Sequence, residues 1–180
     1  KAVCGITGYI GYREAYPIII NGLKRLEYRG YDSAGIAIIN GDHIDLRRDA
    51  GKLGQLIDLV AKEPVSGAPG IGHTRWATHG APSARNAHPH VSSGEVAVVH
   101  NGIIENFEAL RERLVAAGYA FATQTDSEVI AQAIGAARSD EGSIPFGEVV
   151  RSVLSGMTGR YAVVILSADA DFTPLLHRLR

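Results

Sequence analysis

A single thiol, Cys4, lies beside Gly5 near the start of the chain. Two readings of it stand open: a small buried apolar side chain, or a nucleophile. The second draws on position. If Cys4 becomes the first residue, its own α-amine, with a reference pKa of about 7.7–8.0, lies within reach of the sulfur and can take its proton. No histidine is then needed. In the segment GIGHTRWATHG, Gly70 to Gly80, Arg75 stands among small residues and glycines. It is either a surface ion-pair partner or a planar fork that grips a carboxylate through two parallel hydrogen bonds, with the glycines letting the segment close over a small ligand.

The segment HNGIIEN, His100 to Asn106, offers Asn101 and Gly102 either as ordinary turn formers or as paired donors to an oxyanion, one from the side-chain amide and one from the backbone. Asp126 in TDSE fits a helix start, where acidic residues are favoured, and equally fits a receptor for an ammonium group. Five histidines, His73, His79, His88, His90 and His100, crowd the middle of the chain. They lack zinc-site spacings and no second cysteine helps, so no metal is expected.

These groups need elements to position them. GIAIIN at Gly35 to Asn40, a Gly41-Asp42 turn and the returning His43 to Arg47 form an antiparallel hairpin. Cys4 to Ile10, Gly70 to Ala77, Glu95 to His100 and Arg160 to Ser167 read as further strands, most of them almost without acidic residues, which suits a sheet covered on at least one face. HNGIIEN is expected to end a strand and open a helix. That helix puts Phe107, Leu110 and Leu114 on one face, expected to meet a sheet, and stops at Gly118. In the next, Thr125 and Glu128 have capping-box spacing and Val129, Ile130, Ala133 and Ile134 form the buried stripe. Leu53, Leu56, Ile57 and Val60 mark a third helix; Val149, Val150 and Val153 mark a fourth. Strands and helices mix without regular alternation, so an α+β layered fold is favoured over a doubly wound parallel sheet. KEPVSGAPG, 62–70, reads as a surface loop rather than a domain boundary.

With 180 residues, 46% of them hydrophobic, the chain suits one domain large enough for a core and a ligand cleft. Lys plus Arg total 18 against 19 Asp plus Glu, with no block of like charge, so neither nucleic acid nor an anionic membrane is an expected partner. Apolar runs such as AVVIL at 162–166 are far shorter than the about 20 residues that span a bilayer. One cysteine cannot form an internal disulfide, which points to a reducing cytoplasm. Lys1-Ala2-Val3, without an initiator Met, read as a leader or remnant of a cut start.

Taken in order, Cys4-Gly5-Ile6, RLEYRGYDSAG (Arg25 to Gly35), GHTRWATHG, NAHPH (Asn86 to His90), VVHNGIIEN and TDSE closely resemble the glutaminase domain of the glucosamine-6-phosphate synthase family, class II glutamine amidotransferases. The likeness spans positions 4–167, and LEYRGYDSAG and HTRWATHG favour this family over purine-pathway amidotransferases and asparagine synthetases. It implies an N-terminal-nucleophile fold, a four-layer αββα sandwich of two antiparallel sheets between helical layers. It further implies Cys4 as the nucleophile that forms a glutamyl thioester, Asn101 and Gly102 as the oxyanion hole, Arg75 on the glutamine α-carboxylate and Asp126 facing its α-ammonium. Trp76, Thr78 and His79 match a loop covering bound L-glutamine, and Arg29 an arginine near the nucleophile. No cofactor is implied.

Three departures accompany the resemblance. Residues 1–3 precede a cysteine that the family exposes as residue one. The family domain continues with more strands beyond Arg180, so 4–180 reads as an incomplete glutaminase domain. The sugar-phosphate isomerase domain, which in the family receives ammonia to convert fructose 6-phosphate into glucosamine 6-phosphate and belongs to a homodimer, is absent from the chain. A non-catalytic glutamine-binding module and an N-terminal-nucleophile amidase for another amide are the competing expectations.

Overall fold

The computed structural model describes residues 4–77, 80–93, 95–140, 144–168 and 175–178. Strands β1 (Gly5–Tyr9), β2 (Ser33–Asn40), β3 (His43–Ala50) and β4 (Gly70–Arg75) form one antiparallel sheet in the order β1-β4-β2-β3. Strands β5 (His90–Ser92), β6 (Val96–Ile104), β7 (Gly159–Ser167) and β8 (Leu175–Arg178) form a second, in chain order. The expected hairpin closes with Asn40 opposite His43.

Strand alternation sorts side chains into three cores. Ala34, Ile36 and Ile38 of β2 face helices α1 (Ala15–Lys24) and α2 (Leu53–Lys62), meeting Ile19, Leu23, Leu53 and Leu56. Ala37 and Ile39 point the other way and, with Ile71 of β4, pack against Ala97, Val99, Val164 and Leu166 of the second sheet. The opposite face of that sheet, Val96, Val98, Val163 and Ile165, meets Ile130, Ile134, Val150 and Leu154 of helices α4 (Ser127–Asp140) and α5 (Phe146–Ser155). The result is the helix–sheet–sheet–helix layering that the resemblance implies.

Helix α1 is an element that local pattern does not predict. Its Pro17 sits in the first turn, where the missing N–H has no intrahelical partner to lose. Gly22 lets it lie on β1, since a Cβ there would come within 2.5 Å of Thr7. Helix α3 (Phe107–Ala116) has no fully buried residue; it packs along α4, and its Phe107 and Leu110, partly buried, pack against the core shared by the second sheet, α4 and α5. The capping box is half made: the Glu128 N–H donates to Thr125 Oγ1 at 3.3 Å. The Glu128 carboxylate instead accepts the N–H groups of Ala122 and Thr123 at 2.8 and 2.7 Å, tying down the segment before the helix.

Candidate active site

Cys4 stands one residue before β1, half-buried, where the ladder with β4 begins. Gly5 lies opposite Thr74, and its N–H donates to Thr74 Oγ1 at 3.2 Å. This anchors the sulfur beside the end of β4. The Trp76 N–H donates to Cys4 Sγ at 3.2 Å, and Sγ lies 3.7 Å from the Trp76 carbonyl oxygen. Burial pushes the thiol above its ordinary pKa, while the Trp76 backbone contact and the nearby Arg75 charge pull it down.

Asn101 and Gly102 are not a turn. Strand β6 runs through them to Ile104, with Asn101 opposite Ala162 and Gly102 opposite Tyr161 of β7. Gly102 has φ +123°, and a Cβ on it would come within 2.2 Å of the Arg160 carbonyl oxygen, so only glycine fits. Asn101 shares the inter-sheet face with Ala97 and Val99. Its Nδ2 donates to the Cys4 carbonyl at 3.1 Å, and its Oδ1 lies 2.7 Å from His73 Nε2.

Arg75 closes β4 on the same face as His73 and is only 3% exposed, so it is no surface ion-pair residue. Its Nη2 reaches the Gly80 carbonyl at 3.4 Å. Burial lowers its pKa, and Asp32, Cys4 and Asp126 oppose that shift. Asp126, also 3% exposed, directly precedes α4 and accepts the Ile104 N–H at 3.0 Å. One cavity of about 270 Å³ is lined by Cys4, Arg75, Trp76, Asn101, Gly102 and Asp126, a size that suits a ligand as small as an amino acid. Trp76, 47% exposed, stands at its mouth.

Not every expected site residue joins them. Arg29 lies in a short 3-10 turn, Glu27–Arg29, where its Nε donates to the Tyr28 hydroxyl at 3.3 Å and its guanidinium stands over the Tyr28 ring; it does not line the cavity. Thr78 and His79 fall outside the described residues. Conversely, the cavity includes His88, His100, Thr125 and Ser127, to which no site role was given. Strand alternation was the available signal for the first layer behind it: His73 is two residues from Arg75, hence on one face with it. Among the described residues no group of three or more His, Cys, Asp or Glu is placed to hold a metal. His73, His88 and His90 stack instead, with ring centroids 4.2 and 4.6 Å apart, and burial holds all three well below the ordinary histidine pKa, so they are uncharged near neutrality.

A cavity offering a half-buried thiol, a fixed amide donor, a buried cation and a buried carboxylate is equipped to read a zwitterion and attack a carbonyl carbon beyond it. Comparison with known proteins agrees. Glutamine--fructose-6-phosphate aminotransferase (isomerizing) of Acinetobacter baylyi is 50% identical over 167 residues, 93% of this chain and 27% of that protein. The enzyme of the same name from Mycobacterium tuberculosis is 49% identical over 172 residues, 93% of this chain and 28% of that protein. The chain therefore spans little more than a quarter of the length of these relatives. The solved glutamine phosphoribosylpyrophosphate amidotransferase from B. subtilis superposes with a TM-score of 0.72 at 29% identity, covering 92% of this chain and 35% of that one. A family model described as a glutamine amidotransferase domain matches residues 73–178, from the histidine behind Asn101 to the last residue of β8. On that match the chain belongs to the glutamine amidotransferase domain family.

Proposed function

We propose that this chain hydrolyses the side-chain amide of free L-glutamine to glutamate and ammonia. The observation that carries the reading is the convergence on one cavity of the Cys4 sulfur and the Asn101 amide, itself bonded to the Cys4 carbonyl, with Arg75 and Asp126 in the same wall. Arg75 takes the α-carboxylate by its fork and Asp126 the α-ammonium, so an amide lacking either backbone charge forfeits one of these two charge-assisted contacts.

The Cys4 sulfur attacks the amide carbon. Its proton passes to the Cys4 nitrogen, which is basic only as a free α-amine, so the acting form has Cys4 as its first residue and residues 1–3 removed. The carbonyl oxygen becomes an oxyanion facing Asn101 Nδ2–H and the Gly102 N–H. Collapse breaks the carbon–nitrogen bond, the protonated Cys4 amine returns its proton to the departing nitrogen, and ammonia leaves a glutamyl thioester. Water, deprotonated by the same amine, attacks the thioester carbon and releases glutamate and the thiol. Trp76, Thr78 and His79 form the cover over bound glutamine in this reading.

The relatives' name supports a destination for the ammonia. A sugar-phosphate isomerase domain of the longer, homodimeric protein uses it to turn fructose 6-phosphate into glucosamine 6-phosphate. No described helix is long and apolar enough to cross a membrane, and a lone free thiol suits a reducing compartment, so we place the reaction in the cytoplasm.

Ammonia release by the protein with Cys4 first, set beside its Cys4→Ala variant, tests the reading. Turnover is expected to vanish in the variant while calorimetric glutamine binding persists. Equal turnover in both would remove Cys4 from the chemistry. A panel of amides separates glutamine hydrolysis from a broader amidase, and binding without turnover in the parent would leave a glutamine-binding module.

A further inference from the structure

His73 is fully buried on the inter-sheet face of β4 and is not itself among the residues that line the cavity. Its Nε2 lies 2.7 Å from Asn101 Oδ1. The partner on the other side of Asn101 decides which proton sits there. The Cys4 carbonyl can only accept, so the group 3.1 Å from it must be the Asn101 NH2. Oδ1 then faces His73, and Oδ1 can only accept. Nε2 therefore carries the hydrogen. Burial keeps the ring uncharged, with a pKa held down to about 3, so this tautomer persists across neutral pH.

A side-chain amide turned by half a rotation exchanges donor for acceptor at nearly no change in shape. Turned that way, Asn101 would set its NH2 against the His73 N–H and its oxygen against the Cys4 carbonyl, two repulsive contacts. Of the two hydrogens on Nδ2, one is engaged by Cys4 and the second remains for a developing oxyanion. Resting on the amidase reading above, we propose that His73 is a positioning residue that holds the Asn101 amide, through its Nε2–H, with the NH2 toward Cys4 and the cavity. His73 touches neither substrate nor sulfur; it acts through Asn101.

The test is a double-mutant cycle in the protein bearing Cys4 as its first residue, with steady-state glutamine hydrolysis as the readout. His73→Phe keeps an aromatic ring but cannot donate; kcat is expected to fall on the order of tenfold to a hundredfold, less than removal of the donor itself, with KM changed by less than about threefold. His73→Gln restores an N–H near the Nε2 position and recovers most of the rate. In the Asn101→Ala background, His73→Phe costs nothing further, because the group it orients is gone. An active parent in which His73→Phe costs under about twofold, or costs as much again in the Asn101→Ala background, overturns the proposal alone. An inactive parent overturns the amidase reading instead. Should His73→Phe fail to fold, ring nitrogen-15 shifts of the parent decide: a protonated Nε2 with a bare Nδ1 is expected, and the reverse tautomer sinks the assignment.

Discussion

Two strands reach the cavity and hold their functional groups in opposite ways. Strand β6 passes straight through: Asn101 and Gly102 lie inside its ladder with β7, flanked by paired residues on both sides. Strand β4 stops at Arg75, and Trp76 leaves the sheet; Asp126 likewise stands just outside α4. The groups assigned to developing charge are thus built into a sheet, where backbone hydrogen bonds to β7 resist their displacement. Those assigned to the ends of the ligand sit where elements begin or stop. Transition-state stabilisation rewards pre-set donors, whereas recognition tolerates a site that completes itself around its ligand.

The largest effect should come from the base, which belongs to neither strand. A chain beginning at Lys1 and kept uncleaved has its Cys4 nitrogen in a peptide bond, and its turnover should fall about a hundredfold to ten-thousandfold below that of a chain beginning at Cys4. Circular dichroism first shows that both fold, and ammonia release then compares them; similar rates would transfer the base to another group. Arg75→Lys removes the fork and should raise the free energy of glutamine use by about 2–5 kcal/mol, chiefly through KM. An unchanged KM would undo the division of labour drawn above. Asn101→Ala should do the reverse, lowering kcat about a hundredfold to a thousandfold with binding by calorimetry nearly intact; a pure binding defect would make it a recognition residue. Gly102→Ala tests the ladder itself and should cost about 1–3 kcal/mol in denaturant unfolding, given its positive φ and the Arg160 carbonyl. Arg29→Ala should be smallest, within about threefold on kcat/KM, because its guanidinium meets Tyr28 and does not line the cavity. A hundredfold loss there would show that the resting arrangement omits a contact made with ligand bound.

How far the sequence could be read follows from what decides each element. Local pattern suffices for the β2–β3 hairpin, for the stripes of α2, α4 and α5, and for the motif wording that led to the family. It fails where a distant partner decides. Asn101-Gly102 has the chemistry of a turn, and only β7, some sixty residues later, keeps it extended. Helix α1 carries three consecutive isoleucines, a proline and an Asn-Gly pair, each disfavouring helix locally; burial of Ile19, Ile20 and Leu23 on the first sheet outweighs them. Within the site, residue types marked Cys4, Arg75, Asn101 and Asp126, but the hydrogen bond from His73 to Asn101 depends on two sheets facing each other, which no single segment records.

The strand order also has a consequence for when the site comes into being during synthesis. Among the described strands β1 pairs with β4 alone, and the contact from Gly5 to Thr74 closes a separation of 69 residues. Asn101 gains its ladder only when β7 has emerged. A chain made from its amino end thus carries its sulfur first and acquires the surroundings of that sulfur last, since contacts of long sequence separation form late and slowly. Until the carboxyl half is complete, Cys4 has neither the Asn101 amide nor Asp126 beside it, and a nascent chain has a thiol without the groups proposed above to hydrolyse glutamine with it.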